Sequence, residues 1–174
     1  MTNVEARPSP IAGLGLFALS DFAEGETILV RHEREVTAQA PLRAERGERP
    51  QHCDYLEGGR TVHLGSPERH LNHSCDANAY IRERPGGGHE IAARRVIAAG
   101  EEVTNDYSMN SRDEGSWPCG CGSASCRGEI ELDFFALPLE VQQRHLPLLM
   151  GWFEQAHKAE LESVQRRLAG LDGG

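Results

Sequence analysis

The chain is organised around the stretch Arg69-His70-Leu71-Asn72-His73-Ser74-Cys75-Asp76-Ala77-Asn78. Its ten residues carry two amides, two imidazoles, a hydroxyl, a thiol and a carboxylate. Buried polar groups need hydrogen-bond partners, so a structural core strand rarely holds so many of them. This density predicts a functional site. Two later pieces belong with it: Gly100-Glu101-Glu102-Val103-Thr104-Asn105-Asp106-Tyr107, which ends in a tyrosine, and the cysteine cluster Cys119, Cys121 and Cys126.

Length and charge limit the class of protein. The 174 residues fit one domain, and from the net charge of −9 we expect no direct binding to nucleic acid. An acidic surface favours basic partners, although acidity also keeps a protein soluble. The chain has no run of about eighteen apolar residues, and residues 1–5 show neither the basic start nor the apolar segment of an export signal, so we expect no membrane contact. The expected location is intracellular and soluble, and cytoplasmic if the source is bacterial.

Short strands and turns dominate the predicted secondary structure, which indicates a mainly β fold. Extended segments are expected at residues 60–65 and 77–83, and a loose start at residues 1–9, which are polar, hold Pro8 and are followed directly by Pro10. Ala23-Glu24-Gly25-Glu26 and Ala98-Ala99-Gly100-Glu101 predict two turns of the same kind.

The pattern becomes helical from Pro138 onward. Apolar residues recur at steps of three and four, at Leu148, Leu149, Trp152, Phe153, Ala156, Val164 and Leu168. Pro147 is expected in the first turn of this helix. We expect the apolar stripe to pack on the body of the protein; the alternative is a contact with a second copy or another partner.

The glycine pair in Gly13-Leu14-Gly15 precedes a short apolar run. A nucleotide-binding fingerprint would need a third glycine that opens a helix, so that interpretation fails. The pair still indicates a close approach of the main chain to a ligand or to a neighbouring strand.

The cysteines lie in a glycine-rich segment with the spacing Cys119-x-Cys121-x4-Cys126. Closely spaced thiolates in such a loop bind zinc, and reactive or merely reduced thiols are the alternative. Three sulfurs leave a tetrahedral site one ligand short. Cys53, Cys75 or one of eight histidines could complete it.

Taken together, Asn72-His73-Ser74-Cys75, the segment from Gly100 to Tyr107 and the cysteine spacing resemble the SET-domain protein lysine methyltransferases. The resemblance covers residues 8–130, and Gly13-Leu14-Gly15 sits where that family keeps its N-terminal cofactor loop. It implies several small β-sheets with a pseudoknot, a zinc-bound post-SET loop and a C-terminal helix. In the pseudoknot, the segments around Asn72 and Tyr107 pass through one another. The implied parts are a SET domain over 8–109, a post-SET zinc segment over 115–131 and a helical extension over 138–170 packed on the same domain.

The family also implies an activity, which is transfer of a methyl group from S-adenosyl-L-methionine to lysine in a basic or histone-like protein. The residues implied to bind this cosubstrate are Gly13, Leu14, Gly15, Asn72, His73 and Tyr107, of which Tyr107 is catalytic. The ligands implied for a structural Zn²⁺ are Cys75, Cys119, Cys121 and Cys126. Cys53 is then expected to be a small buried apolar residue.

One position departs from the family pattern. Two residues before the tyrosine the family usually has Phe or Tyr, which helps to set the number of methyl groups, whereas this chain has Asn105. Asn105 is therefore expected to affect product specificity. The alternative functions are a catalytically inactive, zinc-stabilised SET-like module that binds proteins, and a thiol redox protein built on the cysteines.

Overall fold

The protein is described by a computed structural model that covers residues 2–170. Its residues form two compact units, each built from separate stretches of the chain. The first unit comprises the chain up to Asn72 together with Asn78–Asn105. The second comprises His73–Ala77 and the chain from Asp106 onward. The polar stretch 69–78 is thus shared between the units, and so is the segment 100–107.

Ten short strands precede Asp106, and they form three small sheets. The strands are β1 Val4–Pro8, β2 Leu14–Ala18, β3 Thr27–Val30, β4 Glu33–Val36, β5 Cys53–Leu56, β6 Arg60–Leu64, β7 Asn72–His73, β8 Ala79–Glu83, β9 His89–Ala93 and β10 Glu102–Asn105. The strand orders are β1-β2-β10-β7, β3-β9-β8 and β4-β6-β5. Short 3-10 helices lie at Ala44–Arg46, Pro50–His52, Glu57–Gly59 and Glu68–His70. The prediction of a mainly β fold of several small sheets is confirmed.

Residues 4–8 form a paired strand, so the prediction of a loose start over residues 1–9 was wrong there. β1 pairs antiparallel with β2 from Val4 opposite Ala18 to Pro8 opposite Leu14. Val4 is 3% exposed, and the other β1 residues point largely to solvent. Because an edge strand needs only one partner, a polar strand that ends in proline can still be held by main-chain hydrogen bonds.

The two predicted turns have the same geometry. In the first, the Glu26 N–H donates to the carbonyl of Ala23, and the Glu26 carboxylate accepts from the Ala23 N–H. Glu101 makes both bonds with Ala98 in the second turn. Gly25 and Gly100 have φ of 80° and 88°, a region that favours glycine. The Ala-x-Gly-Glu pattern therefore specifies a turn closed by its own glutamate.

An apolar core stabilises the first unit. Its buried members are Val4, Leu16, Ala18, Phe22, Ile28, Leu29, Leu71, Ala79, Ile91, Ala93, Ile97 and Val103. They come from both ends of the unit's sequence, so the core joins the N-terminal strands to β8, β9 and β10.

The second unit contains a β-hairpin and three helices. Its elements are β11 Arg112–Pro118, β12 Glu129–Asp133, α1 Leu139–His145, α2 Gly151–Ala156 and α3 Lys158–Leu168, with 3-10 helices at Phe134–Ala136 and Leu146–Leu148. Phe134, Leu137, Val141, Phe153 and Leu161 form its apolar core. Among the described residues, no helix is long and apolar enough to cross a membrane.

The C-terminal region differs from the single helix expected there. Pro147 lies in the 3-10 helix rather than in the first turn of an α-helix, and Leu149 and Met150 are extended. Proline lacks an N–H and cannot continue the hydrogen bonds of α1, which ends at His145, two residues before it. Of the predicted apolar face, Phe153 and Val164 are buried, whereas Ala156 is exposed.

Candidate active site and cysteine cluster

Four cysteines of the second unit converge on one point. The sulfurs of Cys75, Cys119, Cys121 and Cys126 all lie within 4.8 Å of one another, so the cluster could hold a metal ion. The Cys75 and Cys119 sulfurs are 3.7 Å apart. Tetrahedral zinc with Zn–S bonds of about 2.3 Å holds its sulfurs roughly 3.8 Å apart. Both the donor type and the spacing therefore fit zinc.

The hairpin β11–β12 presents three of these cysteines. The Cys119 N–H donates to the carbonyl of Gly128 at 2.9 Å, which closes the loop between the strands. Within it, Gly122 and Gly128 have φ of 68° and 81°. These left-handed turns let the loop bend sharply enough to direct its sulfurs inward.

The crowded sulfurs also differ in acidity. Burial and hydrogen bonds with neighbouring cysteine side chains raise the pKa of Cys119 to about 12. Burial also opposes ionisation of Cys121, but hydrogen bonds from Ser123 outweigh it and lower the pKa of Cys121 to about 6. Several thiolates cannot share so small a volume without a cation to balance them. A divalent metal would supply that charge.

His73 connects this cluster to Tyr107. The Tyr107 N–H donates to His73 Nδ1 at 3.1 Å, and His73 Nε2 lies 3.4 Å from the Cys75 sulfur. Burial lowers the pKa of His73 to about 4, against the opposing effect of Asp106, so the ring is neutral at pH 7. Since Nδ1 accepts a hydrogen bond, we assign the proton to Nε2, which donates to the sulfur. The Tyr107 ring packs edge-on against His73 at 5.4 Å between centroids.

Asp106, directly before Tyr107, is the most heavily bonded carboxylate of this site. It is 0% exposed and receives both terminal nitrogens of Arg127 at 2.8 Å. His145 Nε2 lies 3.0 Å from Oδ2, and the Ser108 N–H lies 3.1 Å from Oδ1. Burial alone would raise the pKa of Asp106, but the hydrogen bonds from His145 and Arg127 hold it well below its usual range. The carboxylate is therefore ionised and fixed.

Arg127 and His145 were missed in the sequence. They lie 21 and 39 positions from Asp106, so no local spacing links either residue to it. The one signal is that Arg127 immediately follows Cys126, which makes it a neighbour of any metal bound there.

The first unit contains the predicted cofactor loop. Asn72 Nδ2 donates to the carbonyls of Ala12 and Leu14 at 3.1 and 3.2 Å, and to Glu102 Oε1 at 2.9 Å. An amide nitrogen has two hydrogens, so these acceptors occupy both. Asn72 thus holds the loop in shape, and any contact of its side chain with a cofactor runs through its oxygen.

Gly15 is required by a neighbouring strand. A Cβ at this position would lie 2.1 Å from Glu102 Oε1, and that carboxylate also accepts from the Ser9 hydroxyl at 2.8 Å. Of the two alternatives for the glycine pair, the approach at Gly15 is therefore to β10. Gly13 has a φ of 47° with open space around it, so its need for glycine is conformational.

Two asparagines of the first unit behave in opposite ways. Asn78 is buried and satisfied: its Nδ2 donates to Glu101 Oε1 and to the Glu102 carbonyl, and its Oδ1 accepts from the Thr104 N–H at 2.8 Å. Asn105 is 7% exposed, and within the described residues its buried Oδ1 has no hydrogen-bond partner. A buried amide oxygen left unpaired is costly, so this one calls for an explanation other than stability.

Cys53 is the one cysteine not expected to bind zinc. It lies half-buried on β5 in the first unit. Its sulfur is 3.9 Å from the carbonyl of Arg49. It takes no part in the four-cysteine cluster.

These features belong to a known class. A model of the SET domain matches residues 13–108, more than half of the chain, and the chain belongs to the SET domain family. Among its relatives are the histone-lysine N-methyltransferases ash1 and trr of Drosophila melanogaster. They are 37% and 33% identical over 45% and 72% of this chain. Trithorax of Drosophila virilis is 34% identical over 68% of it. The chain spans 4%, 6% and 3% of these three relatives, respectively.

Proposed function

We propose that this protein transfers a methyl group from S-adenosyl-L-methionine to a lysine side chain of a protein substrate. The observation that carries the proposal is the constrained position of Tyr107 within the SET motif. Its N–H is bonded to a neutral His73, and the residue before it is the buried, fully paired Asp106. A catalytic group for an in-line transfer needs this kind of fixed placement.

The residues assigned to the cosubstrate are those of the family motifs, Gly13, Leu14, Gly15, Asn72, His73 and Tyr107. S-Adenosyl-L-methionine supplies an electrophilic methyl group and carries an ammonium and a carboxylate. The oxygen of Asn72 suits the ammonium, since both hydrogens of that amide are already used within the loop. Leu14, which is exposed, leaves this main chain open to a ligand.

The substrate amine must lose a proton before it can react. Lysine has a solution pKa of about 10.4, so at neutral pH roughly one side chain in a thousand is unprotonated. Transfer into an apolar channel near a positive charge disfavours the ammonium form. We assign Tyr107 the role of orienting the amine through its hydroxyl rather than of removing the proton.

Zinc, bound by Cys75, Cys119, Cys121 and Cys126, has a structural role in this proposal. It holds His73–Ala77 and the post-SET loop together in the second unit. The three ligands in the loop lie outside the stretch 13–108 that matches the family model, so the assignment rests on the sulfur geometry.

The proposed substrate class is a basic, histone-like protein. The relatives carry the name histone-lysine N-methyltransferase. The net charge of −9 on this chain is complementary to a lysine-rich partner. The second candidate is a SET-like binding module without catalysis. It is favoured by Asn105, which replaces the aromatic residue usual at that position of the family.

The test is transfer of labelled methyl to a panel of histones and other basic proteins, with Tyr107→Phe beside the wild type. Tyr55→Phe is the matched control, because Tyr55 lies exposed on β5 in the first unit. We expect labelled lysine with the wild type and the control but not with Tyr107→Phe. Cofactor binding without labelling of any protein would favour the binding module, and absence of cofactor binding would refute the proposal.

A further inference from the structure

Two hydrogen-bonded bridges run from the Cys75 sulfur, one to the Tyr107 main-chain N–H and the other to the Asp106 carboxylate. The first is the His73 ring, which contacts the sulfur through Nε2 and the Tyr107 N–H through Nδ1. The second is Arg127. Its main-chain N–H donates to the Cys75 sulfur at 3.3 Å, and its guanidinium donates hydrogen bonds to the Asp106 carboxylate. Both bridges lie within the second unit.

The Arg127 bridge is built as a rigid link. Both terminal nitrogens of its guanidinium contact the two oxygens of Asp106 at 2.8 Å, which fixes the plane of the carboxylate. The Arg127 side chain is 12% exposed and the Asp106 side chain 0%. Ser108 Oγ lies 3.2 Å from Arg127 and extends the link to the residue after Tyr107. Lysine carries one point charge and cannot reproduce this fork.

We propose that the four-cysteine cluster positions Tyr107 through Arg127 and His73, and that Arg127 is a positioning residue for methyl transfer. Two cysteines of the cluster fix the main chain of Arg127. Cys126 precedes Arg127 in the sequence, and the sulfur of Cys75 accepts a hydrogen bond from the Arg127 N–H. Its guanidinium then holds Asp106, and Asp106 holds Tyr107. Loss of the cluster's geometry would release both bridges at once. The catalytic consequence rests on the proposed function, whereas the structural coupling does not.

The effect on rate follows from the demands of in-line transfer. A displacement of about 1 Å in a catalytic group can lower a rate roughly a hundredfold. Arg127 forms hydrogen bonds with Cys75, Asp106 and Ser108, none of which is assigned to the cosubstrate or to the substrate amine. Its replacement should therefore lower kcat and leave the KM for the protein substrate nearly unchanged.

The test compares Arg127→Lys with Arg112→Lys. Arg112 pairs with Asp133 at 2.8 and 2.9 Å on the same hairpin, but its side chain is 43% exposed. Metal content, cofactor affinity, kcat, KM and hydrogen exchange of the Tyr107 amide are measured for each variant. Arg127→Lys is expected to keep its metal, lose about 10- to 100-fold in kcat, and exchange the Tyr107 amide at least about tenfold faster. Arg112→Lys should match the wild type in every measurement.

Chelation completes the test. Removing the metal from the wild type should accelerate Tyr107 exchange more than Arg127→Lys does, because it also releases the His73 bridge, and chelation of that variant should raise its exchange to the same rate. Wild-type exchange and kcat in metal-loaded Arg127→Lys would overturn the proposal, as would loss of its metal, since the residue would then act on the cluster itself. If the wild type transfers no methyl group, the proposed function fails, while the exchange measurements still decide whether the cluster is coupled to Tyr107.

Discussion

Residues 102–105 and residues 106–108 adjoin in sequence but are held by different forces. Val103 of the first unit is buried in an apolar core, and Asn78 fixes Glu102 and Thr104 through main-chain hydrogen bonds. Asp106 of the second unit is instead held by the Arg127 guanidinium and the His145 ring, and it lies within a unit that contains the cysteine cluster. The central motif therefore passes from a region stabilised by apolar burial to one stabilised by ion pairs and sulfur.

This difference has an energetic meaning. Apolar burial contributes in proportion to area, so it survives the loss of any single partner. A buried ion pair is stabilising only while every member is paired, because an isolated buried charge costs several kcal/mol. We therefore expect the first unit to tolerate change and the environment of Tyr107 to fail when one partner is removed.

Removal of the metal should have the largest effect. Cys119→Ser or chelation is expected to lower methyl transfer roughly a hundredfold or more, because Tyr107 loses its placement. Hydrogen exchange should rise in the second unit and stay slow at the core strands of the first. Cys53→Ser is the control, since Cys53 is a half-buried cysteine outside the cluster. Equal loss of protection in both units would contradict the comparison.

Asp106→Asn should have the next largest effect. It leaves Arg127 and His145 without their carboxylate, so we expect a loss of about 3–5 kcal/mol in the free energy of unfolding. Asp113→Asn is the control, since Asp113 is exposed on β11. Urea unfolding measures both. A loss below about 1 kcal/mol would show that the network is not stabilising.

The same variant has a predicted pH dependence. The pKa of Asp106 is lowered in the folded state from an ordinary value of 3.8. The ionised carboxylate therefore contributes its full stability above that value and loses it as pH falls through the folded pKa. The difference between wild type and Asp106→Asn should be constant near pH 7 and shrink below about pH 4. A difference that grows on acidification would contradict this sign.

Much of this organisation was readable in the sequence, and the residues show why the rest was not. The glutamate-closed turns followed from a local pattern, and three of the four clustered cysteines from their spacing. Chemistry alone left the fourth open, because Cys53 and Cys75 are equivalent until the fold brings one of them to the loop. Arg127 was missed because its partner is 21 residues away. The break at Pro147 was missed because apolar spacing continues across it.

Gly15→Ala should have a moderate effect on the first unit. The new Cβ would meet Glu102 Oε1 at 2.1 Å, so Glu102 must swing away and lose its bonds to Ser9 and Asn72. We expect a cost of about 1–3 kcal/mol in the free energy of unfolding. Glu102→Ala removes the nearest obstacle and leaves Ser9 Cβ at 2.9 Å, so adding Gly15→Ala to that background should cost less than it does in the wild type. If the losses of the two single variants simply add in the double variant, the close approach to Glu102 is not the reason that position 15 needs glycine.

Asn105→Leu should change stability least. Its unpaired buried oxygen already costs free energy, so an apolar side chain of similar shape should be nearly neutral or slightly stabilising. Thr104→Val on the same strand is the control for a buried polar-to-apolar change, since the Thr104 hydroxyl lies 3.4 Å from Asn78 Oδ1. A neutral result would mean that stability does not explain why a polar residue stands at position 105 in the first unit.

Product analysis shows whether that reason is catalytic. Asn105→Phe restores the kind of residue usual in the family, and we expect it to shift the proportions of mono-, di- and trimethyllysine measured by mass spectrometry. An aromatic ring fills volume that an amide leaves for a water molecule or a methyl group, and it removes an acceptor that could bond the substrate amine. An unchanged product distribution, together with a large loss of stability in Asn105→Leu, would make Asn105 a structural residue. The stability of the first unit would then depend on a buried polar group, as that of the second unit does. The contrast between apolar burial in one unit and polar bonding in the other would not hold at β10.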